Sequence, residues 1–472
     1  MPDRFWLGLE AAFVAGYVLA AIAAGAHAVL NKRDSRSAWG WIAICWMLPF
    51  GGPLLYYLAG MNRLGMQALR RVEPVVHGGD DVLPALGGAS AMDVRELVRT
   101  GRAMSGWPLL PGNAVEPLVD GDEAYPAMLA AIAQASRTIS LVTYIYRDDA
   151  IGRRFAKALA EARARGVEVR ILLDGLSDFI YRPRASRLLR KHGLMPQLFL
   201  PLRIFPPMLH VNLRNHRKLL IVDSAVAFTG GINIAQYHIV KQNQESCVRD
   251  LHFRLRGPVV EQLEAVFAAD WRLATGEAIA PAQAAPAPGG NAAARVIRDG
   301  PDDEVNRLDL LLQGALATAH ERVWIMTPYL VPGAPMLGAL QAAALRGVDV
   351  CLLIPARSDQ PWVDWATRHL LWQLLQSNVR VLLTPPPFCH SKLFLMDGYY
   401  AQIGTANLDH RSMRLNFELS VECYDPRLVE RLAAHFLQAA GASRAVTLPD
   451  VEGRPLLVRL RDGFFWLFSP FL

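Results

Sequence analysis

The N-terminal part of the chain is dominated by two apolar runs. Residues 5–30 are interrupted only by Glu10 and His27, and residues 38–59 carry no charge. A helix over residues 5–30, rising 1.5 Å per residue, is longer than the ~30 Å hydrocarbon core of a bilayer. Aromatic residues lie towards both ends of the second run, as in interfacial belts: Trp39, Trp41, Trp46, Tyr56 and Tyr57. We therefore predict a transmembrane hairpin over residues 1–60, with the second helix kinked at Pro49–Pro53.

Beyond residue 110 the pattern changes to short apolar runs separated by amphipathic stretches. Residues 122–174 predict helix, strand (138–146), helix and strand, and residues 303–355 repeat this order with a strand at 323–327. The stretch Arg165–Val169 (Arg-Gly-Val-Glu-Val) returns as Arg346–Val350 (Arg-Gly-Val-Asp-Val). Strands that alternate with helices predict an α/β fold, here built twice.

The two α/β halves are predicted over residues 111–275 and 297–445. Residues 61–110 are rich in Gly, Pro and charge and are interpreted as a linker with one short helix near residues 92–100. Residues 276–296 are rich in Ala and Pro and are interpreted as the linker between the halves. In the C-terminal segment 446–472, Arg459 and Arg461 precede an aromatic run. This segment is predicted to be either a docked terminal strand or a membrane-interfacial anchor.

Each half ends in a copy of the same polar motif. The copies read His, Lys two residues on, four apolar residues and Asp, followed by Gly and Asn at fourteen and seventeen residues after the His. A single His-x-Lys tripeptide is a weak indication of a site, but five matching positions in two copies indicate a shared function. The repeated residues are His216, Lys218, Asp223, Gly230 and Asn233 in the first copy and His390, Lys392, Asp397, Gly404 and Asn407 in the second.

This set of side chains suits a phosphate ester. His and Lys two residues apart on a strand project to the same face, so they stand side by side. An imidazole can attack phosphorus or move a proton, while an ammonium and the Asn amide neutralise charge on the phosphate oxygens. Asp223 has the opposite strand parity to His216 and lies where the strand should turn. We interpret it as a residue that places the motif.

The doubled motif resembles the phospholipase D superfamily, and its flanks resemble bacterial cardiolipin synthases. Those flanks are residues 213–218, 249–252, 327–332 and 407–418. The resemblance covers nearly the whole chain. It implies two phospholipase D-like αβ halves in a pseudo-twofold arrangement, preceded by the transmembrane hairpin, with one shared site, no cofactor, no metal and a phosphohistidine intermediate.

The resemblance also implies residue roles. His216 is expected to be the nucleophile and His390 the general acid, although the reverse assignment stays open. Asp250 and Glu418 would each support the His of the other half, and Asn233 and Asn407 would bind the substrate phosphate with the lysines. The catalytic set is therefore predicted to be His216, Lys218, Asp223, His390, Lys392 and Asp397. Thr405 stands where Ser is commoner in the family, and Cys389 precedes the second His.

The activity implied is phosphatidyl transfer between two phosphatidylglycerol molecules, giving cardiolipin and glycerol. Alternatives are a membrane-bound phospholipase D-type hydrolase or another phosphatidyltransferase, and further a nuclease or a non-enzymatic scaffold. The two apolar runs and the lack of a concentrated Lys/Arg tract argue against a nucleic-acid partner. Intact His, Lys and Asn in both motifs argue against a scaffold.

Composition adds the expected setting. The chain is 52% hydrophobic with a net charge of +6, which fits an anionic lipid surface as readily as nucleic acid. Five scattered cysteines without a Cys-x-x-Cys predict reduced thiols and no zinc site. We therefore predict a multi-pass protein of the bacterial inner membrane with both termini and the catalytic part in the cytoplasm. The oligomeric state is not predicted.

Overall fold

The computed structural model describes residues 2–32, 35–60, 81, 83, 91–201, 213–241, 247–280, 289–301 and 306–471. Most of the predicted 61–110 linker and the middle of the 276–296 linker lie outside the described residues. The chain divides into two compact units, one formed by residues 1–69 with 202–212 and 471, the other by residues 70–201 with 213–470 and 472.

The described residues of the first unit, up to Gly60, are mainly helical. Its elements are α1 (Pro2–Asn31), α2 (Ser35–Met47), α3 (Gly51–Leu55) and a π-helical turn at Tyr56–Gly60. Within α1, Phe5–Asn31 has 27 residues and a mean hydropathy of 1.9, so this helix is long and apolar enough to cross a membrane. Small buried residues, Ala21, Ala24 and Ala28, lie on α1, which packs against α2.

The second apolar run is not a single helix. The predicted kink at Pro49–Pro53 is a complete break, because α2 ends at Met47 and α3 begins at Gly51. Phe50 adopts a left-handed backbone with φ 54°, which reverses the chain between the two helices. A Cβ at Gly52 would lie 2.2 Å from the Ile44 carbonyl oxygen, so this packing requires glycine. Among the described residues, α1 is the one helix that meets the length of a membrane span.

The second unit begins with α4 (Ala91–Ser105), where the sequence predicts a short helix. It precedes the first half in the chain, yet Val94, Leu97 and Val98 belong to the hydrophobic core of the second half. This part of the predicted linker is therefore folded structure.

The first half alternates strands and helices as predicted. Its elements are β1 (Leu110–Val119), α5 (Asp120–Gln134), β2 (Thr138–Thr143), α6 (Ala150–Ala164), β3 (Glu168–Asp174), α7 (Gly175–Ile180), α8 (Ala185–Lys191), β4 (Gln197–Phe199), β5 (Leu219–Val222), β6 (Val226–Gly230), a 3-10 turn at Gln236–His238, β7 (Val248–Arg249), β8 (Leu251–Arg256) and α9 (Val259–Thr275).

The second half repeats this order. Its elements are β9 (Ala292–Asp299), α10 (Arg307–Thr318), β10 (Arg322–Met326), β11 (Leu330–Val331), α11 (Ala334–Leu345), β12 (Asp349–Pro355), α12 (Pro361–Gln376), β13 (Arg380–Thr384), β14 (Phe388–Cys389), β15 (Leu393–Met396), β16 (Tyr400–Gly404), β17 (Leu408–Asp409), α13 (His410–Arg414), β18 (Glu418–Tyr424), α14 (Pro426–Gly441) and β19 (Arg444–Ala445).

The repeated Arg-Gly-Val stretch has the same local role in both halves. Arg165 Nη2 donates to the Ile132 carbonyl at 2.9 Å, and Arg346 Nη2 donates to the Leu316 carbonyl at 2.7 Å. Each arginine thus binds a carbonyl near the C-terminal end of the first helix of its half, α5 or α10, where carbonyls lack intrahelical partners. The glycine that follows it has positive φ and turns the chain into the next strand.

One mixed sheet of 15 strands runs through both halves, in the order β19-β13-β12-β10-β15-β16-β18-β9-β1-β8-β6-β5-β2-β3-β4. Outward from the centre, β9, β18, β16, β15, β10, β12 and β13 mirror β1, β8, β6, β5, β2, β3 and β4. At the seam, β1 and β9 pair antiparallel, with Leu110 opposite Ala294 and Asn113 opposite Ala292. The fold is therefore α/β with two like halves in pseudo-twofold arrangement.

The C-terminal segment forms α15 (Leu448–Glu452), α16 (Leu456–Trp466) and a 3-10 turn at Ser469–Phe471. The alternative of a docked terminal strand is wrong. Helix α16 packs on α12, with Phe465 on Trp365 and Trp466 on His369 at ring distances of 4.8 and 5.0 Å. A helix forms because its packed side, which includes the buried Asp462 paired with Arg454, recurs with helical rather than strand spacing.

Candidate functional site

Both motifs lie just before a strand, not on it. His216 and Lys218 precede β5, and His390 and Lys392 precede β15. Here the chain leaves the main sheet, because its backbone pairs with the other half. His216 N donates to the Phe417 carbonyl at 3.0 Å, and His390 N donates to the Arg249 carbonyl at 2.7 Å. Each motif is thus held by main-chain hydrogen bonds from the opposite half.

The imidazole of each motif also meets a carboxylate from the opposite half. His216 Nδ1 lies 3.0 and 3.1 Å from the two carboxylate oxygens of Glu418. His390 Nδ1 lies 2.8 Å from Asp250 Oδ2. This is the crossed pairing that the resemblance implies. With Nδ1 held by a carboxylate, Nε2 is the ring nitrogen available for a substrate.

The lysines stand beside their histidines. Lys218 Nζ donates to the His216 carbonyl at 2.7 Å, and Lys392 Nζ donates to the His390 carbonyl at 2.6 Å. Lys392 Nζ is also 2.9 and 3.0 Å from the two ring nitrogens of His390. The two sets lie close enough for the charges of one to act on the other, since Lys392 lowers the pKa of His216 and Lys218 lowers that of His390.

Burial keeps both histidines neutral. It lowers the pKa of His216 to about 4, an effect that Glu418 opposes and Lys218 reinforces. Burial, with Lys392 and Lys218, holds the pKa of His390 well below its ordinary value. An anionic phosphate bound between the lysines would favour the imidazolium form and raise both values. The proton needed by a general acid is therefore taken up with the substrate.

The pKa values of the lysines and carboxylates are shifted as well. Burial lowers the pKa of Lys218 to about 7 and that of Lys392 to about 8, although the carboxylates Glu418 and Asp250 oppose it. Burial raises the pKa of Asp250 to about 6 against the charge of Lys392. Glu418 is also buried, but its hydrogen bonds and the charges of His216 and Lys218 hold its pKa below the ordinary value.

The asparagines are placed at the site but are already partnered. Asn233 Oδ1 accepts from Ile145 N at 3.2 Å. The Asn407 side chain hydrogen-bonds the Asp409 carboxylate, whereas its buried Oδ1 has no hydrogen-bond partner among the described residues. The glycines Gly230 and Gly404 let the neighbouring strand approach, since a Cβ at Gly404 would lie 2.3 Å from the Leu419 carbonyl oxygen.

Asp223 and Asp397 lie away from the phosphate-binding groups, so their inclusion in the catalytic set needs correction. Asp223 is separated from Lys218 by β5, and its carboxylate accepts the backbone N–H groups of Ser136, Arg137 and Thr138 at 2.7–2.9 Å. Asp397 accepts those of residues 320–322 in the same way. Both are positioning residues at the outer end of the motif strand.

Several residues around the site were not predicted as site residues, although Arg217 and Tyr329 lie in the flanks that carry the family resemblance. Arg217 bridges the halves by donating to the Glu418 carbonyl at 2.9 Å and the Asp299 carbonyl at 3.0 Å, and it is paired with the buried Asp270. Tyr144 packs edge-on against the His216 ring at 4.9 Å. Tyr329 lies 6.2 Å from the His390 ring and donates its hydroxyl to Asp359 at 2.6 Å.

Comparison with known proteins gives consistent matches. A family model described as "Cardiolipin synthase, PLD-like domain" matches residues 128–271 and 312–440, and one described as "Phospholipase D-nuclease N-terminal" matches residues 19–60. The major cardiolipin synthase ClsA of Bacillus subtilis is 30% identical over 94% of this chain and 95% of its own length. Cardiolipin synthase A of Pseudomonas aeruginosa is 34% identical over 90% of this chain and 88% of its own length.

A solved structure shows the same fold. The phosphatidylserine synthase of Haemophilus influenzae superposes with a TM-score of 0.64 over 80% of this chain and all of that one, at 14% identity. The sequence matches extend over both halves and both motifs. The chain therefore belongs to the cardiolipin synthase family with phospholipase D-like domains.

Proposed function

We propose that this protein is a cardiolipin synthase that transfers a phosphatidyl group from one phosphatidylglycerol to another and releases glycerol. The observation that carries the proposal is the pair of buried imidazoles, each held through Nδ1 by a carboxylate of the other half, with Lys218 and Lys392 beside them. That pair supplies a nucleophile, a proton carrier and two cations for one phosphate, which is what two-step phosphoryl transfer requires.

In the first step, His216 Nε2 attacks the phosphorus of the donor lipid. The P–N bond forms, the bond from phosphorus to the headgroup glycerol oxygen breaks, and His390 gives that oxygen its proton. In the second step, a glycerol hydroxyl of another phosphatidylglycerol attacks phosphorus, His390 takes its proton, and the P–N bond breaks. Glu418 stabilises the positive charge that develops on His216, and the lysines neutralise the phosphate oxygens.

We assign Lys218 and Lys392 as the main phosphate ligands, with the Nδ2 groups of Asn233 and Asn407 as further donors. The Oδ1 atoms of these asparagines only accept hydrogen bonds and are not phosphate ligands. Asp250 and Glu418 orient the histidines, and Asp223 and Asp397 anchor the motif strands. No step in this scheme uses a cofactor or a metal. The preferred lipids are phosphatidylglycerol and other anionic phospholipids, because cations dominate the site, and nucleic acid is not a proposed partner.

The protein is associated with a membrane through its N-terminal apolar helix. We propose that α1 crosses the bacterial inner membrane, with the catalytic part in the cytoplasm. The broken second run is proposed to be re-entrant, because the chain reverses at Phe50 and the Gly60 carbonyl accepts from Lys32 Nζ at 2.6 Å, which brings the run back to the end of α1. The predicted second crossing, with both termini in the cytoplasm, is therefore not part of the proposal. The predicted bounds of the halves, 111–275 and 297–445, and of the linkers, 61–110 and 276–296, belong to the same proposal.

The C-terminal segment 446–472 is proposed to lie at the membrane interface, because the outward side of α16 is apolar. Six large side chains there are more than 45% exposed: Leu456, Leu457, Leu460, Phe464, Leu467 and Phe468. At 3.6 residues per turn they occupy one stripe about 120° wide. Arg459 is exposed near one edge of the stripe, where its guanidinium can reach a lipid phosphate while the stripe enters the acyl boundary. Arg461, near the other edge, is instead paired with Asp462 and stacked on Trp365.

The test is to incubate the purified full-length protein with vesicles that contain phosphatidylglycerol and to identify the products by mass spectrometry. Cardiolipin and glycerol in equal amounts are expected, and expression in a cardiolipin-free host should restore the lipid. His216→Ala, treated identically, should give neither product. Phosphatidic acid as the main product would overturn the synthase proposal in favour of a phospholipase, with water as the acceptor.

A further inference from the structure

A carboxylate stands at the edge of the site with no role in the steps above. Asp359 is exposed in the loop between β12 and α12, and one of its oxygens accepts the Tyr329 hydroxyl at 2.6 Å. Tyr329 in turn lies 6.2 Å from the His390 ring. Asp359 is also close enough to the reacting groups to contribute, after burial and other carboxylates, to the pKa of Lys392.

The second oxygen of Asp359 has no hydrogen-bond partner among the described residues. Asn407 Oδ1 is buried and likewise unpartnered in the described part of the chain. Asn407 is a neighbour of Tyr329 because Leu330 and Leu408 pair in the short β11–β17 ladder, which brings the preceding residues, Tyr329 and Asn407, side by side. Tyr329 therefore has one acceptor at its hydroxyl, Asp359, and another on the neighbouring residue, Asn407.

Acceptors of this kind do not suit a phosphate, which itself only accepts hydrogen bonds. They suit a ligand that donates several, because an unpaired buried acceptor is costly and a hydroxyl satisfies it. A carboxylate on adjacent hydroxyls gives charge-assisted hydrogen bonds, which are stronger than those between neutral groups. The phenol of Tyr181, whose pKa is raised by burial and by Asp359, faces the same space from the first half.

An ammonium headgroup would also be attracted to a carboxylate, but the surrounding charge opposes it. The Arg147 guanidinium lies 4.6 Å from the centre of the Tyr181 ring and acts on the same phenol as Asp359. Lys392 is charged beside His390 as well. A neutral polyol meets no such repulsion.

We infer that Asp359, Tyr329 and Asn407 form a subsite for a polyol headgroup, the glycerol of phosphatidylglycerol in the proposed reaction. The subsite holds the leaving glycerol in the first step and the attacking glycerol in the second, beside the imidazole that carries its proton. The inference rests on the proposed function and adds to it the means by which glycerol is selected over other alcohols.

The experiment uses the reverse direction, in which cardiolipin in vesicles is cleaved by a soluble alcohol acceptor. Initial rates are measured with glycerol, 1-butanol and ethanolamine for the full-length protein and for Asp359→Ala. Asp359→Ala should lower kcat/KM for glycerol about tenfold more than kcat/KM for 1-butanol, the effect of one lost charge-assisted hydrogen bond. This ratio is compared because kcat/KM for the acceptor of a two-step transfer reports the second step alone, whereas the first step is common to all acceptors. Asp349→Ala is the matched control, since Asp349 lies at the opposite end of β12 and is paired with Arg380.

The outcomes separate the two proposals. If the unmodified protein transfers to none of the alcohols, the proposed function fails. If it transfers to glycerol and 1-butanol and Asp359→Ala lowers kcat/KM for both equally, Asp359 merely anchors Tyr329 and the polyol subsite is wrong. If ethanolamine is the better acceptor and is lost in the variant, the subsite binds an ammonium headgroup instead. A fall in kcat/KM that is larger for glycerol than for 1-butanol supports the inference.

Discussion

Gly231 and Thr405 occupy the same position of the two repeats, directly after the glycine of each motif. Only Thr405 has a side chain that can hydrogen-bond the adjacent carboxylate, which is Glu418 in the second half and Asp250 in the first. Thr405 donates its hydroxyl to Glu418 Oε2 at 2.5 Å, and Asn416 Nδ2 donates to Oε1 at 3.1 Å. A Cβ at Gly231 would lie 2.2 Å from Asp250 Oδ1, so no side chain fits there. The first half therefore leaves Asp250 with a raised pKa, while the second half stabilises Glu418 as an anion.

Thr405→Val removes the hydroxyl and keeps nearly the same side-chain shape, so it should separate the effect of the hydrogen bond from that of packing. We expect kcat to fall about tenfold, because a hydrogen bond to a charged group is lost and Glu418 orients His216 less well. Thr405→Ser keeps the hydroxyl and should retain most of the activity. Equal losses in the two variants, measured as cardiolipin formed per unit time, would mean that the methyl group matters and the hydrogen bond does not.

The expected pH dependence of kcat/KM follows from two groups whose pKa values are shifted by burial. Asp250, whose pKa burial raises to about 6, must be ionised to orient His390, so kcat/KM should fall below pH 6. Lys218, whose pKa burial lowers to about 7, must be charged to bind phosphate, so kcat/KM should also fall above pH 7. The expected profile is a narrow bell, and activity that stays constant up to pH 9 would contradict the assignment of Lys218.

At the residue scale the sequence predicted the repeated groups and missed their partners. Spacing alone relates His216 to His390, because a repeat is visible in one dimension. The pairing of Arg217 with Asp270 joins residues far apart in the chain, and nothing in either stretch marks it. Asp223 was placed in the catalytic set although its strand parity already pointed elsewhere, and the structure shows it in a turn.

At the scale of elements, the two apolar segments at the ends of the chain differed from the prediction in the same way. Composition showed that both segments are apolar, but not which secondary structure each of them forms. The second N-terminal run is divided because Phe50 adopts a left-handed backbone and Gly52 packs against Ile44. The C-terminal run is a helix because its packed residues contact α12, a partner that the local sequence does not reveal.

The proposed membrane contact of the apolar stripe of α16 can be tested by substituting exposed residues alone, leaving the side that packs on α12 unchanged. Leu460→Ser with Phe464→Ser replaces two of its exposed side chains, at 60% and 55% exposure, and should leave Tm within a few degrees. Activity on phosphatidylglycerol vesicles should fall several-fold, with activity in mixed detergent micelles unchanged. Val429→Ser, in the buried face of α14, is the contrasting control, which should lower Tm instead.

If the double variant keeps full activity on vesicles, α16 does not take part in membrane contact. If it loses activity equally in vesicles and micelles, its effect lies in folding or catalysis and the interfacial role is wrong.

For the whole molecule, each half provides the carboxylate that binds the histidine of the other half, and this predicts which variants behave alike. Glu418→Gln, in the second half, should resemble His216→Ala, and Asp250→Asn, in the first half, should resemble His390→Ala. A donor lipid with a nitrophenyl leaving group needs no proton for departure. With it, Asp250→Asn should still form a phosphoryl adduct on His216, detectable by peptide mass spectrometry, whereas Glu418→Gln should not. The opposite pattern would reverse the roles of the two histidines.

The α/β class and the duplicated halves were predictable, since periodicity and repeats survive in a single sequence. The continuity of the sheet was not. The seam depends on the pairing of β1 with β9, whose residues are separated by the entire first half, and the place of α4 in the second core depends on contacts of the same long range. Hydrophobic patterns identify a buried face without identifying what covers it.

The site to which both halves contribute makes the two lipids successive occupants of one space. The first glycerol must diffuse into water before the second headgroup enters, while the phosphatidyl chains remain in the bilayer. Turnover should therefore saturate with the lateral density of phosphatidylglycerol in the membrane rather than with its bulk concentration. Diluting the membrane with an inert neutral lipid slows both formation of the phosphatidyl-histidine and its attack by the second phosphatidylglycerol. The fraction of phosphatidylglycerol in the bilayer therefore acts as the substrate concentration.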